Sequence, residues 1–320
     1  MSDINQNNDI LSVPETVIIP QANADFRSGF VGIVGRPNVG KSTLMNELVG
    51  QKIAITSPVA QTTRNRLRGI LTTETAQLIF VDTPGIHKPH HQLGEVLVKN
   101  ARIAIESVDV VLFVADSTVA CGGGDRYIAD LLKNIEIPVI LGLNKVDQQP
   151  SDSEKIDDSY FQLAGDNQWQ TVKFSALNGT GLSELQDLLI TNIEPGPYYY
   201  PPDLVTDQPE RFIMGELIRE QILLLTRQEV PHSVAIAIDL VEETPTITRV
   251  LATIHVERAS QKGILIGKGG IMLKSIGSAA RQQIQKLIAG KVYLELFVKV
   301  QPKWRHSRLR LAELGYRVEE

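Results

Sequence analysis

Residues 35–42, GRPNVGKS, follow the apolar run FVGIV (residues 30–34) and precede a stretch in which Leu44, Met45 and Leu48 have helical spacing. This order predicts a strand, a glycine-rich loop and a helix, and the loop fits the pattern G-x-x-x-x-G-K-[ST]. At ordinary residue frequencies, a chance match in a chain of this length is expected on the order of 1% of the time. We therefore expect a phosphate-binding loop rather than a plain turn with a surface lysine.

The chemistry of such a loop requires this spacing of residues. Backbone N–H groups wrap the β-phosphate, the helix N-terminus adds its dipole, Lys41 reaches the β and γ oxygens, and the Ser42 hydroxyl is a ligand for Mg²⁺. Nine consecutive residues are therefore predicted to contact a nucleotide: Gly35, Arg36, Pro37, Asn38, Val39, Gly40, Lys41, Ser42 and Thr43.

Further apolar runs of strand length follow along the chain, at residues 76–81, 108–115, 139–143 and 171–174. Most are separated by helix-like stretches, such as residues 92–107 and 182–190. Continuously apolar strands are covered on both faces, so the pattern predicts an α/β domain with a doubly wound, mostly parallel sheet. Ligands of such sheets bind at the carboxyl ends of the strands.

Polar motifs stand at three of these strand ends: DTPG at residues 82–85, NKVD at 144–147 and SAL at 175–177. Asp82 can hold the metal through water, and the Gly85 amide can meet a γ-phosphate. Asp147 can accept hydrogen bonds from the N1–H and 2-amino groups, which guanine has and adenine lacks, and the Ala176 amide can donate to the guanine oxygen. The predicted GTP/GDP contacts here are Asp82, Thr83, Pro84, Gly85, Ile86, Asn144, Lys145, Val146, Asp147, Ser175 and Ala176.

The boundary between two units is predicted in EPGPYYYPPD, residues 194–203, where four prolines and a glycine favour extended, stiff chain. We expect a flexible extension at residues 1–26, a GTPase domain at 27–195, a linker at 196–203 and a second domain at 204–320. Residues 258–310 of that domain carry 12 basic residues and one acid, which favours an anionic polymer as partner. A solvated basic face with no partner is the alternative that charge alone leaves open.

The second domain shows the order helix, two strands, short helix, GKGG, long helix and strand, which is typical of a type II KH domain. The GKGG loop (residues 267–270) is expected to clamp about four single-stranded nucleotides by close backbone approach. The helix after it is predicted to turn Leu273, Ile276, Ala280, Ile284, Leu287 and Ile288 inward, and Gly290 to end it. Predicted RNA contacts are Gly267, Lys268, Gly269, Gly270, Lys274, Lys262 and Arg281.

With these motifs the sequence resembles the Era family of ribosome-assembly GTPases, over about 290 residues. The resemblance implies a GTPase with slow intrinsic hydrolysis, because Ile86 stands where Ras-like enzymes place the glutamine that orients water. It also implies single-stranded small-subunit ribosomal RNA and the 30S subunit as partners, no DNA, and a monomer. The family's first switch appears as AQTTRNR (residues 60–66), in which Thr63, or else Thr62, is expected to be a ligand of Mg²⁺.

Four residues are predicted to act in hydrolysis: Lys41, Asn38, Thr63 and Gly85. Asn38 occupies the position that coordinates K⁺ in related GTPases, which makes K⁺ a further candidate cofactor, and a simple turn asparagine is the equal alternative. Arg64, Arg66 and Arg68 could add positive charge beside the switch, but a solvent-facing edge strand explains them as well. HKPHH (residues 87–91) lacks the spacing of a metal site, so a switch loop is favoured.

Composition and segment patterns exclude other classes of protein. The chain has 320 residues, with 42% hydrophobic and 22% charged residues, which suits two globular domains. A single cysteine, Cys121, favours a reducing compartment such as the cytoplasm, and residues 1–26 lack the Lys or Arg of a signal sequence.

Two alternative functions remain open at the level of sequence. One is a non-catalytic RNA-binding scaffold with structural GTP. The other is a membrane-associated regulatory GTPase with peripheral contact at the inner face of the cell membrane, made by the basic helix predicted after Pro302. In that helix Trp304 either stacks on a base or anchors the helix in the core, and the core role is favoured.

Overall fold

The computed structural model describes residues 19–57, 67–83, 85–86, 105–226, 230, 233–288, 290–307, 310 and 314. In the N-terminal part six strands form one sheet in the order β2-β3-β1-β4-β5-β6. Four strand pairs are parallel, and only β2 runs antiparallel to its neighbour β3. The strands are β1 Arg27–Val34, β2 Leu67–Thr72, β3 Ala76–Asp82, β4 Val110–Asp116, β5 Val139–Asn144 and β6 Gln170–Lys173.

Helices cover both faces of this sheet, as the continuously apolar strands predicted. They are α1 Lys41–Val49, α2 Gly123–Leu132, α3 Glu154–Asn167 and α4 Leu182–Thr191. Every residue of β3 and β5 is buried. One apolar cluster joins the sheet to Leu44 and Leu185, and a second joins it to Ile128 and Tyr160. The mostly parallel, doubly wound sheet is thereby confirmed.

The edge strand β2 is covered by residues 205–207, which follow the predicted linker at 196–203. The amide of Ile70 donates to Val205 O at 2.9 Å, and Thr206 Oγ1 donates to Arg68 O at 2.7 Å. Arg68 lies on this edge strand, as predicted, but its guanidinium pairs with Asp207 at 2.7 Å. This segment therefore closes the sheet edge, and Arg68, whose side chain is still 36% exposed, is also held by Asp207.

The C-terminal part has the predicted order of elements. They are α5 Glu210–Leu225, β7 Ala235–Glu243, β8 Ile247–Val256, α6 Ala259–Ile266, α7 Ile271–Ile284 and β9 Lys291–Val300. β8 lies between β7, to which it is antiparallel, and β9, to which it is parallel. Helices α5 and α7 pack together, and Ile218 of α5 and Ile276 of α7 belong to one apolar cluster with Val250 of the sheet.

Some predicted details differ from the structure. Helix α7 ends at Ile284, because the chain turns there to enter β9, so Leu287 is 37% exposed rather than part of the inner face. Trp304 starts a single turn of 3₁₀-helix, Trp304–His306, and the continuation of the predicted basic helix lies largely outside the described residues. The Trp304 indole is buried and donates a hydrogen bond to Ser233 O at 3.1 Å, which confirms the predicted anchoring role of Trp304.

The two parts of the chain meet at a buried carboxylate. Glu220 of α5 is 1% exposed and accepts hydrogen bonds from the Thr56 amide at 2.8 Å and from Lys52 Nζ at 2.5 Å. Both donors belong to the chain that leads from α1 toward the predicted first switch. The KH-like part is therefore attached directly to the segment before that switch.

None of the helices in the described ranges has the length and apolar character that a membrane crossing requires.

Candidate functional site

The predicted phosphate loop joins the carboxyl end of β1 to the start of α1. Lys41 is buried, and its Nζ donates to Gly35 O at 3.2 Å and to Arg36 O at 3.0 Å. Burial lowers the pKa of the Lys41 ammonium to about 8, and the negative charge of Asp82 opposes that shift. An ammonium held by two carbonyl groups in a buried site is well placed to bind phosphate oxygens, which supply the negative charge it needs.

Two side chains whose oxygen atoms can ligate a metal lie together at the predicted metal position. Ser42 Oγ donates to Asp82 Oδ2 at 3.0 Å, and the Asp82 side chain is fully buried at the end of β3. A hydroxyl and a carboxylate are the hard ligands that Mg²⁺ prefers, and Mg²⁺ commonly takes its remaining ligands from water and nucleotide phosphates. These residues therefore fit Mg²⁺. Within the described residues no cluster of three or more His, Cys, Asp or Glu could hold a metal by protein ligands alone.

The DTPG segment packs directly against the phosphate loop. A Cβ at Gly85 would lie 2.8 Å from Pro37 Cα, so glycine allows the two backbones to touch. The Ile86 amide donates to Gly35 O at 3.0 Å, and its side chain is buried. Thr83 Oγ1 donates to Ile33 O at 2.8 Å, so this hydroxyl supports β1 rather than facing a ligand.

The NKVD and SAL motifs meet at the ends of β5 and β6. Asn144 is buried: its Nδ2 donates to Val39 O at 2.8 Å, and its Oδ1 accepts from the amides of Lys145 and Ala176 at 2.7 and 2.9 Å. Asn144 therefore ties the base loops to the phosphate loop. The Ala176 amide, predicted to donate to the guanine oxygen, instead satisfies Asn144 in this structure.

Asp147 is exposed, as a base-reading carboxylate must be to reach a ligand. Its Oδ1 accepts from Ser175 Oγ at 2.6 Å, and this bond is the main cause that lowers the pKa of the carboxyl. Val146 and Asp147 lie in a single turn of 3₁₀-helix, Val146–Gln148, which presents the carboxylate. An ionised Asp147 offers two oxygens as acceptors, which is the state that guanine recognition needs.

Sequence reasoning missed the residues behind this site. Lys145 Nζ pairs with Asp116 Oδ2 at 2.5 Å, and Asp116 O accepts from the Tyr160 hydroxyl at 3.2 Å. Arg36 of the phosphate loop pairs with buried Asp125 at 2.7 Å. The only signal for Asp116 was its place at a strand end, and Asp125 and Tyr160 lie inside helices, where no local pattern marks them.

Asn38 has φ 64°, the left-handed backbone conformation, and its side chain is exposed. The turn conformation is therefore present, and the role of Asn38 toward K⁺ stays a prediction.

The GKGG loop forms a turn between α6 and α7. Gly267, Gly269 and Gly270 have φ of 71°, 61° and 79°, values that L side chains rarely adopt, and a Cβ on Gly269 or Gly270 would meet nothing within 4 Å. The backbone of the loop is therefore open to an approaching ligand. Lys268 is exposed in the loop; Lys274 and Arg281 are exposed on α7, and Lys262 is partly buried on α6.

Several predicted residues lie outside the described ranges: Thr62, Thr63, Arg64 and Arg66 of the first switch, Pro84, and the HKPHH loop at residues 87–91. Their predicted roles stay predictions.

Comparisons with known proteins agree with these two sites. Residues 30–145 match the family of 50S ribosome-binding GTPases, and residues 229–305 match the KH domain. The chain is 82% identical to GTPase Era of Nostoc sp., over 98% of this chain and 97% of that protein, and 72% identical to GTPase Era of Rippkaea orientalis, over 94% and 96%.

Two solved structures are similar over the length of the fold. Each covers 91% of this chain and 99% of its own, at 38% identity and a TM-score of 0.85. The first is Era in complex with MgGDPNP and nucleotides 1506–1542 of 16S ribosomal RNA. The second is an Aquifex aeolicus Era variant bound to GDP·AlF4⁻.

Proposed function

The chain belongs to the Era family of GTPases, and from that premise we propose that it binds and hydrolyses GTP with Mg²⁺ and binds single-stranded small-subunit ribosomal RNA during assembly of the 30S subunit. One observation carries the proposal. A buried lysine, a hydroxyl–carboxylate pair and an exposed aspartate converge at the carboxyl edge of one sheet, through Lys41, Ser42 with Asp82, and Asp147.

Binding of the nucleotide uses both halves of this edge. The phosphate loop and Lys41 receive the β and γ phosphates, while Asp147 reads the guanine base and Asn144 holds the two loops together. Ser175 keeps Asp147 ionised by donating to it. Adenine has neither the N1–H nor the 2-amino group that Asp147 accepts from, so ATP is excluded.

Mg²⁺ would be held by Ser42 and Asp82, with Thr63 as the proposed ligand from the switch, and when bound it neutralises charge on the phosphates. Lys41 adds a second positive charge, and the Gly85 amide is proposed to donate to the γ-phosphate. Water attacks the γ-phosphorus and no covalent intermediate forms, so the residues act by positioning and electrostatic stabilisation. Ile86 is buried and apolar and cannot orient that water, so we expect a slow intrinsic rate. Asn38 is proposed to bind K⁺.

The GKGG loop is proposed to hold RNA by close contact with its backbone, with Lys268 neutralising a phosphate. Lys274, Lys262 and Arg281 extend the basic surface along the two helices beside the loop. RNA affinity should therefore fall steeply with salt, because each neutralised phosphate releases counterions.

The nucleotide state is proposed to reach the RNA-binding part through Glu220. The donors to this carboxylate, Lys52 and Thr56, lie in the chain that precedes the first switch. A switch that closes on the γ-phosphate pulls on this segment, and the bond to Glu220 passes the movement to α5. Residues 27–195 and 204–320 are proposed as the two domains, in a cytoplasmic protein.

The test is calorimetric titration of the purified protein with GTP, GDP and ATP, followed by single-turnover hydrolysis with and without an RNA that contains nucleotides 1506–1542 of 16S ribosomal RNA. The proposal expects GTP and GDP to bind, ATP not to bind, and phosphate to be released. The variant Asp147→Asn should lose guanine nucleotides and gain xanthine nucleotides, whereas Asp152→Asn, an exposed aspartate nearby in sequence, is the control. Equal binding of ATP and GTP contradicts the base assignment, and a γ-phosphate retained indefinitely with RNA indicates a scaffold instead.

A further inference from the structure

Behind the nucleotide site, four residues connect the phosphate loop to the base-reading loop. We define the Arg36 brace as Arg36, Asp125, Tyr160 and Asp116. The first belongs to the phosphate loop, the second to α2, the third to α3, and the last to the end of β4. The phosphate-loop motif itself requires only glycines, a lysine and a hydroxyl, so the chemistry of the site derived above gives Arg36 no role for its side chain.

The first contact of the brace is an ion pair at the start of α2. Arg36 Nε donates to Asp125 Oδ1 at 2.7 Å, and Asp125 is fully buried, whereas the Arg36 side chain is 30% exposed. The other oxygen, Oδ2, accepts from the Gly122 amide at 3.0 Å, so the carboxylate is held on both sides. A Cβ at Gly124 would lie 2.7 Å from Arg36 Cδ, so glycine there leaves room for the arginine.

The second contact leads on to the base loop. The Arg36 guanidinium also interacts with the side chain of Tyr160, which is fully buried, and the Tyr160 hydroxyl donates to Asp116 O at 3.2 Å. Asp116 in turn pairs with Lys145 of the base-reading motif at 2.5 Å. A connected set of partly buried polar contacts thus runs from the phosphate loop to the guanine loop.

The same arginine also supports the lysine of the phosphate loop. The Arg36 carbonyl accepts a hydrogen bond from Lys41 Nζ at 3.0 Å, so the position of the Arg36 backbone helps to fix the position of the Lys41 ammonium. Asp125, which holds the Arg36 side chain, therefore also helps to position Lys41 on the side of the loop that faces the nucleotide.

We propose that the Arg36 brace sets the distance between the phosphate loop and the guanine loop, and that Arg36, Asp125 and Tyr160 are positioning residues for GTP and GDP. A ligand that spans two subsites gains affinity only when their spacing matches its own length. GDP spans both loops, whereas GMP lacks the β-phosphate around which the glycine loop and Lys41 are built. The inference rests on the proposed guanine-nucleotide function.

The experiment measures affinity for GDP and for GMP by competition with a fluorescent GDP analogue, in the full-length protein. In Arg36→Ala, GDP affinity should fall about tenfold, the equivalent of one hydrogen bond of a charged group, while GMP affinity falls less than about twofold. Tyr160→Phe, which keeps the ring, should show a smaller loss of the same kind. Arg36→Lys keeps the charge and should recover part of the GDP affinity. Arg126→Ala removes an exposed arginine from the same helix as Asp125 and is the matched control.

Thermal unfolding of each variant, without nucleotide, checks that the protein remains folded at the assay temperature. The proposal is overturned if the affinities for GDP and GMP fall by the same factor, or if neither affinity falls. It is also overturned if Arg36→Lys binds GDP no more tightly than Arg36→Ala. Each of these results is expected of an ion pair that only stabilises the fold. Failure of the wild-type protein to bind GDP would instead refute the proposed function, so the two failures are distinguishable.

Discussion

Removal of the Glu220 carboxylate should detach the segment before the first switch from helix α5. Glu220→Ala deletes the acceptor of the Thr56 amide at 2.8 Å and of Lys52 Nζ at 2.5 Å, in a place where Glu220 itself is 1% exposed. A hydrogen bond to a charged group contributes about 1.5–3 kcal/mol, and truncating one member of a buried ion pair costs about 3–5 kcal/mol. Lys52 is 35% exposed and regains water, so the lower end, about 3 kcal/mol, is expected.

Amide hydrogen exchange measures this loss directly, because the Thr56 amide exchanges when its bond to Glu220 opens. About 3 kcal/mol corresponds to roughly a hundredfold faster exchange at Thr56, since each ~1.4 kcal/mol is a factor of ten. The amide of Ile79, in the buried strand β3, should exchange as in the wild type. Glu210→Ala, at an exposed position of the same helix, is the matched control. An increase of less than about threefold at Thr56 would refute the reasoning that this carboxylate joins the two parts.

Three other changes have defined outcomes. Trp304→Phe removes the indole donor to Ser233 O, and we expect a loss of about 1–2 kcal/mol in stability, measured by urea unfolding; an unchanged midpoint would contradict the anchoring role. Lys268→Ala should weaken RNA binding and reduce the slope of log affinity against log salt by about one unit, whereas an unchanged slope means that Lys268 contacts no phosphate. Burial lowers the pKa of His255 below its ordinary value of 6.5, opposed by Gln301, so the folded state binds fewer protons and stability falls as the pH drops below 6.5. His255→Gln should remove that part of the acid loss in thermal melts at pH 7.5 and 5.5, and parallel losses in both proteins would contradict it.

The parts of the site that were predictable are those whose chemistry depends on neighbours in sequence. The spacing from Gly35 to Ser42 is constrained because the loop must wrap a single phosphate group. The strand ends at Asp82 and Asn144 are predicted because the apolar runs before them have the length of a strand. Such constraints act over a few residues, so they can be read without a structure. The order of elements around GKGG was predictable for the same reason.

The parts that were not predictable depend on partners far away in the chain. Asp125 is buried because Arg36, 89 residues earlier, reaches it, and Glu220 is buried because Thr56, 164 residues earlier, donates to it. From the helical pattern of the sequence alone, Asp125 and Glu220 would both be predicted to be solvent-exposed charges. The Ala176 amide could likewise be assigned to guanine from the motif, whereas its bond to Asn144 depends on how two loops meet.

The packing of residues 199–206 against the sheet changes how nucleotide state can be passed to the RNA-binding part. A stiff but detached linker would let the two domains move independently, and only contact through the switches could couple them. Here Val205 and Thr206 bond to β2, and Tyr199 and Tyr200 donate their amides to Gln77 Oε1 at 2.9 and 3.0 Å. β2 follows the first switch directly, and Glu220 holds the segment before it. The segments on both sides of the switch are therefore tied to the chain that carries the KH domain, so a movement that reaches Thr56 or β2 acts on one of these two attachments.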